Sequence, residues 1–149
     1  MIMASVGLIS ASALNTETPD FKRYRFRAGD IARHLDMFMV GELCLVVTVD
    51  GYKGLLDEFW SDSLRQLWPL MHALHRGDIE EITKLAHTLK GVAGTLGCVG
   101  VEALARTIHK AAPSYQLHDC QQAAAQLLEQ WNASHALCSQ AGFTSIPAP

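Results

Sequence analysis

Charge is scarce in this sequence. Asp, Glu, Lys and Arg make up 18% of its 149 residues, and the formal net charge is −3. That leaves no basic field of the kind that draws nucleic acid to a surface. Cysteine is sparse too: Cys44, Cys98, Cys120 and Cys138 stand far apart, with no C-x-x-C pair. This excludes a disulfide-stapled mini-fold and points to free thiols in a reducing compartment. Long apolar runs are missing. The stretch 2-IMASVGLISASAL-14 is mildly apolar and contains ASA, a small-residue pattern like a cleavage site, but it is too short to span a bilayer. No Lys or Arg precedes it, so it reads as a tail or the remnant of a longer chain rather than a secretory signal. A glycine-rich phosphate loop and a kinase signature are also missing, so no ATP site is expected. No paired Glu-x-x-His set is present, and His72 and His75, at i and i+3, have no carboxylate or thiol placed to complete a metal site. No metal and no cofactor are expected.

What is present is apolar bulk, 49% of residues, ample for one domain core. The segment 15-NTETPD-20 reads as a linker. The basic, aromatic 21-FKRYRFRAGD-30 is too short and isolated for a nucleic-acid arm and reads as a solvated lead-in, so residues 1–29 form a tail. At the other end, 141-AGFTSIPAP-149 has two prolines and no periodicity, and reads as a disordered tail. Residues 30–140 between them read as helix throughout. An apolar stretch from Asp30 to Val46 comes first, with 46-VVTV-49 as its end and link and Asp50-Gly51 as a turn. A long helix over Tyr52–Arg76 follows, carrying Leu56, Phe59, Trp60, Leu64, Leu67, Leu70, Met71 and Leu74 at spacings of three and four. Pro69 inside it should kink it. Gly77 suits a helix end and Asp78 an N-cap, with Glu81 at capping-box spacing. A third helix then spans Ile79–Leu96 and a fourth Val101–Ala112, broken by Pro113-Ser114. The last runs over His118–Ser139, with Ala124, Leu127, Leu128, Trp131 and Leu137 on its apolar side. Short connections between such helices favour an antiparallel up-down bundle. Trp60, Trp68 and Trp131 are expected in the core or at the bundle edge, and His34, His118 and His135 on the surface.

The third helix contains 85-LAHTLKGVAGTLG-97, where glycine recurs every three residues. Each interior glycine weakens a helix by about 1 kcal/mol relative to alanine. On a wheel of about 100° per residue with His87 at zero, Ile82, Leu85, Leu89, Val92, Ala93 and Leu96 fall within roughly 60° of the opposite pole. They form the expected core stripe. Around His87 gather Glu80, Thr83, Lys84, Lys90, Gly91 and Gly94. The histidine is therefore expected on the solvent face. The two glycines have no packing task there and leave bare backbone beside the imidazole. A neutral exposed imidazole is a nucleophile near neutral pH and can accept a phosphoryl group on nitrogen. Lys90, one turn on, can offset the phosphoryl charge.

The motif AHTLKG-x-AG-x-LG over residues 86–97 resembles the signature of histidine-containing phosphotransfer (HPt) domains of bacterial multistep phosphorelays and hybrid sensor kinases. Gly77-Asp78 ahead of the motif helix, and Leu104 and Ala105 after it, extend the resemblance. It implies an all-α fold, an antiparallel up-down four-helix bundle with an additional N-terminal helix. It implies His87 as the phospho-accepting residue and Lys90 as its electrostatic support. Gly91 and Gly94 would leave room for a receiver domain, with Thr83 and Lys84 on the same docking face. The implied partners are the receiver domains of a hybrid sensor kinase and a response regulator, with no nucleic acid and no membrane contact. Mg²⁺ would reside on the receiver. The chain would be a cytoplasmic phosphoryl carrier without enzymatic activity of its own, free-standing or the cytoplasmic part of a membrane-bound kinase. Val92, Thr95, His109 and Pro69 depart from the family pattern; glutamate is frequent where His109 stands. None of them is expected to touch His87, so they bear on partner choice. Two other readings stand beside this one: a non-transferring helical adaptor that binds a receiver or kinase domain, and a metal-binding bundle.

Overall fold

A computed structural model describes residues 31–144. The tail, linker and basic-aromatic stretch expected over residues 1–29, the Leu64 side chain, and residues 145–149 lie outside the described residues. Every regular element among those described is helical. A 3₁₀ turn at Ile31–Arg33 leads into α1 (Met37–Arg76), followed by α2 (Ile79–Thr95), α3 (Val99–Ala111), a second 3₁₀ turn at Ala112–Ser114, and α4 (Leu117–Ala141). Each helix packs on the next, and α4 returns to α1, so the four enclose one core.

Local chemistry explains most of the boundaries. The Asp36 carboxylate accepts the backbone N–H groups of Phe38 and Met39 at 3.1 and 3.3 Å. This cap starts α1 at Met37 rather than at Asp30. The expected link before Tyr52 is not a loop. Instead α1 leaves helical geometry at one residue, Thr48, with φ 71° and ψ 167°. That backbone is rare for a β-branched residue and disfavoured by about 1–3 kcal/mol. Thr48 Oγ1 accepts the Gly51 N–H at 3.1 Å, so the same residue ends one helical stretch and caps the next. Asp50 and Gly51 consequently lie inside helix, not in a turn. At Pro69 the dihedrals stay helical; the one departure in α1 is Thr48. Gly77 closes α1 by sending its N–H to the Ala73 and Leu74 carbonyls, and Asp78 caps α2 through the Glu81 N–H at 3.2 Å.

Gly97 sits where the chain must turn left-handed, at φ 75°. Its carbonyl accepts the Asp36 N–H at 2.8 Å, and a Cβ there would crowd Asp36 O and Val40 Cγ2 at 3.3 Å. The end of α2 is thus pinned to the start of α1. A side chain at Gly100 would meet the Arg33 carbonyl oxygen at 2.6 Å and the Gln130 amide closer still. Glycine there lets the 31–35 segment cross over α3 and α4.

The core joins all four helices. Trp60 stacks on His135 with centroids 5.0 Å apart and planes 13° off parallel, and meets Trp131 edge-on at 5.7 Å. The Tyr52 hydroxyl donates to the Leu96 carbonyl at 2.7 Å. Several expected positions differ. His135 is buried, 2% exposed, between two indoles rather than on the surface. His34 is half-buried and bonded to Ser134 Oγ at 2.8 Å and Gln130 Nε2 at 2.9 Å. Trp68 is exposed, as is Leu128. The C-terminal tail does not begin at Ala141. Gly142 adopts φ 77°, and the Phe143 N–H reaches back to the Cys138 carbonyl at 2.8 Å. Phe143 is fully buried against Tyr52, centroids 5.6 Å apart, and the Thr144 hydroxyl bonds Asp57.

Candidate functional site

The buried side of α2 consists of Ile82, Ala86, Leu89, Ala93 and, at its C-cap, Leu96. On the wheel that stripe centres roughly 40° away from the pole opposite His87, on the side of Ala86. Val92, expected in the core, is 40% exposed, and Leu85 is half-buried. The physical reason lies in size. α2 packs closely on α3, and the buried alanines Ala86, Ala93 and Ala105 permit a short approach that a valine or leucine would prevent. Rotation toward α3 leaves His87 exposed and brings it to the edge of the α2–α3 seam.

The seam is an antiparallel hairpin folded about Cys98. His87 and His109 lie eleven residues on either side of Cys98, and Gly94 and Glu102 four. Both pairs meet. The two imidazoles have centroids 5.0 Å apart and planes inclined by 41°. A Cβ on Gly94 would lie 3.5 Å from Glu102 Cγ. His109 therefore does touch His87, against the sequence expectation, because a single-helix wheel carries no information about the partner helix. The signal was available in the symmetric spacing about the short link at 96–98.

The remaining site residues fall as follows. Lys90 is half-buried on the His87 face. Gly91 is exposed, and a Cβ there would have nothing within 4 Å. Gly94 is not open in the same way: it is half-buried and backs onto the Glu102 side chain, which is itself ion-paired with Arg106. Lys84 is exposed, while the Thr83 hydroxyl is turned inward to the Ile79 carbonyl at 2.8 Å. Thr83 consequently offers its methyl more than a free hydroxyl. Thr95 donates to the Gly91 carbonyl at 2.9 Å.

At the seam the imidazole of His109 is shifted. Partial desolvation, then Lys90, then His87 push the His109 imidazole below its ordinary pKa of about 6.5, so it is neutral at pH 7. Beyond Gly91 the surface turns apolar. A groove of about 370 Å³ runs between α1 and α2, lined by Leu43, Leu55, Phe59, Asp62, Gly91 and Val92 among others. Leu55 and Val92 are more than a third exposed at this groove. An exposed nucleophile, a cation, open backbone and an apolar groove thus occupy one side of α2. Among the described residues no three His, Cys, Asp or Glu side chains converge as metal ligands, and no helix is long and apolar enough to cross a membrane. His72 instead lies against Trp68, centroids 6.4 Å apart.

A family model described as "Hpt domain" matches residues 54–137, which runs from the second stretch of α1 into α4 and includes His87, Lys90, Gly91, Gly94 and His109. No curated protein and no solved structure matches the chain.

Proposed function

The chain belongs to the Hpt domain family, and from that premise we propose that it carries a phosphoryl group on His87 between the receiver domains of a hybrid sensor kinase and a response regulator. Hpt domains are phosphotransfer modules of phosphorelays and have no catalytic activity of their own. The observation that carries the assignment to His87 is its exposure on α2 with Lys90 beside it and open backbone at Gly91. In this reading a nitrogen lone pair of neutral His87 attacks the phosphorus of a receiver aspartyl phosphate. The P–N bond forms as the P–O bond breaks, and the aspartate leaves as a carboxylate. Transfer onward reverses the step on a second receiver. Such a reaction needs in-line approach and charge neutralisation, and Lys90 is placed to neutralise. The chain itself supplies no metal in this scheme; Mg²⁺ sits in the receiver.

The receiver would dock over the groove between α1 and α2, its backbone passing close to Gly91, with Gly94, Thr83 and Lys84 at the periphery. The stretch of α1 before Thr48 would be the additional N-terminal helix of an up-down bundle. The cytoplasm is the compartment that suits such partners. The test is incubation with a receiver domain carrying labelled phosphate. The expected result is an acid-labile, base-stable label on this chain that disappears in His87→Gln. Binding without any label would leave the protein an adaptor instead.

A further inference from the structure

His109 has no part in the scheme above, yet its ring lies against the proposed acceptor, 5.0 Å from that of His87. The charged groups acting on it are Lys90 and His87, both from α2; among the described residues none from α1 or α4 does so. On α3 itself the neighbours one turn away are Ala105, Arg106, Ala112 and Pro113, and Arg106 is engaged by Glu102. Partial desolvation first, then Lys90 and His87, lower the His109 imidazole while His87 is bare, and the Glu102 carboxylate two turns back is taken up by Arg106. A phosphoryl group on His87 would place about two negative charges on its oxygens within a ring's breadth of His109, offset by one positive charge on the phosphorylated ring, so that residue 87 turns from neutral to net negative. The sign of the local field would then reverse.

We propose that His109 is a proton-linked positioning residue, which takes up one proton when His87 is phosphorylated and donates its N–H to a phosphoryl oxygen. The inference rests on the reading of His87 as acceptor. In the balanced step, receiver aspartyl phosphate, neutral His87, neutral His109 and one solvent proton give receiver aspartate, N-phosphorylated His87 and the His109 imidazolium. The leaving carboxylate takes the P–O bonding pair, and the N–H of His87 stays on its other nitrogen. The charge-assisted N–H···O bond fixes the phosphoryl group against rotation. Between the lowered midpoint of the bare pair and the raised midpoint of the phosphorylated pair, the phosphorylated form holds one proton more. Acid therefore favours the carrier, by about tenfold in the transfer equilibrium for each pH unit of that window.

The experiment is an NMR titration of the imidazole resonances in the full chain, before and after phosphorylation with phosphoramidate, with His87→Gln as control. The expected result is a rise of about one pH unit or more in the His109 midpoint on phosphorylation. An unchanged midpoint with His87 carrying the phosphoryl group overturns the inference and leaves the carrier function standing. Label that is absent, or that persists in His87→Gln, overturns the assignment of His87 and this inference with it. As a second readout, the phosphohistidine lifetime against pH contains a titration step in the wild type that His109→Gln, which keeps an amide donor, lacks. Superimposable profiles would reduce His109 to a packing role.

Discussion

Gly91→Ala separates what the fold wants from what a partner needs. Gly91 lies in the interior of α2, one turn past His87. Its backbone is ordinary helix, and a Cβ added there meets nothing within 4 Å. With neither strain nor collision, the change in stability reduces to helix propensity, a gain of about 0.8–1 kcal/mol for alanine over glycine. For a domain of this size that raises Tm by about 3–5 °C. The same methyl stands four residues from His87, at the rim of the apolar groove, where a receiver would come closest. Displacing the reacting groups by about 1 Å slows a positioned reaction by about 100-fold, so transfer should fall by about 10- to 100-fold while the protein becomes more stable. Thermal unfolding by circular dichroism and single-turnover transfer from a phosphorylated receiver measure the two quantities. A lower Tm would mean that the space at Gly91 is not open. A higher Tm with undiminished transfer would mean that the bare backbone serves no partner.

Two further perturbations probe the fold. Phe143→Ala should destabilise by about 3–5 kcal/mol in urea unfolding, since the ring is fully buried against Tyr52; a change within error would return the segment to the status of a tail. The four thiols should resist alkylation in the folded protein at neutral pH, since all four are buried. Desolvation pushes Cys44 and Cys138 up to about 11 and about 12 and raises Cys98 and Cys120 as well. Unfolded thiols lose their protons near pH 8.5. Above that pH the folded state binds more protons than the unfolded, so stability falls as pH rises, by about 1.4 kcal/mol per unit for each thiol so held. Urea midpoints that stay level between pH 8 and 10 would contradict this.

The parts of the fold legible in the sequence were those set by residues acting on their own neighbours. Asp78 after Gly77, glycine at 97 and Pro113 each determine a boundary by capping or by a missing donor. Thr48 was illegible for the opposite reason: nothing in a β-branched residue announces a positive φ, and the neighbouring Asp50-Gly51 gave a stronger but misleading turn signal. Packing against α2, reflected in the Tyr52–Leu96 bond, outweighs that local preference. The C-terminus was a missed signal. Gly142 and Phe143 make the paired bonds of a Schellman ending, Gly142 N–H to Ser139 and Phe143 N–H to Cys138. In that motif a hydrophobic residue just after the glycine packs back on the helix it closes. Read that way, Ala-Gly-Phe places Phe143 in the core without any periodicity to help.

The site divides along the same line. Exposure of His87, with Lys90 and Gly91 beside it, follows from one helix and its period, and the wheel located it correctly. The wheel treats the core as featureless, however, and assigned Val92 to it because valine is apolar. Alanine at 86 and 93 decided otherwise by letting α3 approach on one flank. That flank determines which residue of α3 faces the imidazole, and the hairpin's symmetry about Cys98 makes it His109. A glutamate at this position would be negative beside bare His87 and would repel a phosphoryl group. Histidine is neutral in the first state and free to become positive in the second. On the proposed reading of His87 as acceptor, the departure from the family pattern at His109 lies in the charge logic of the site itself, which partner-surface arguments alone would not reach.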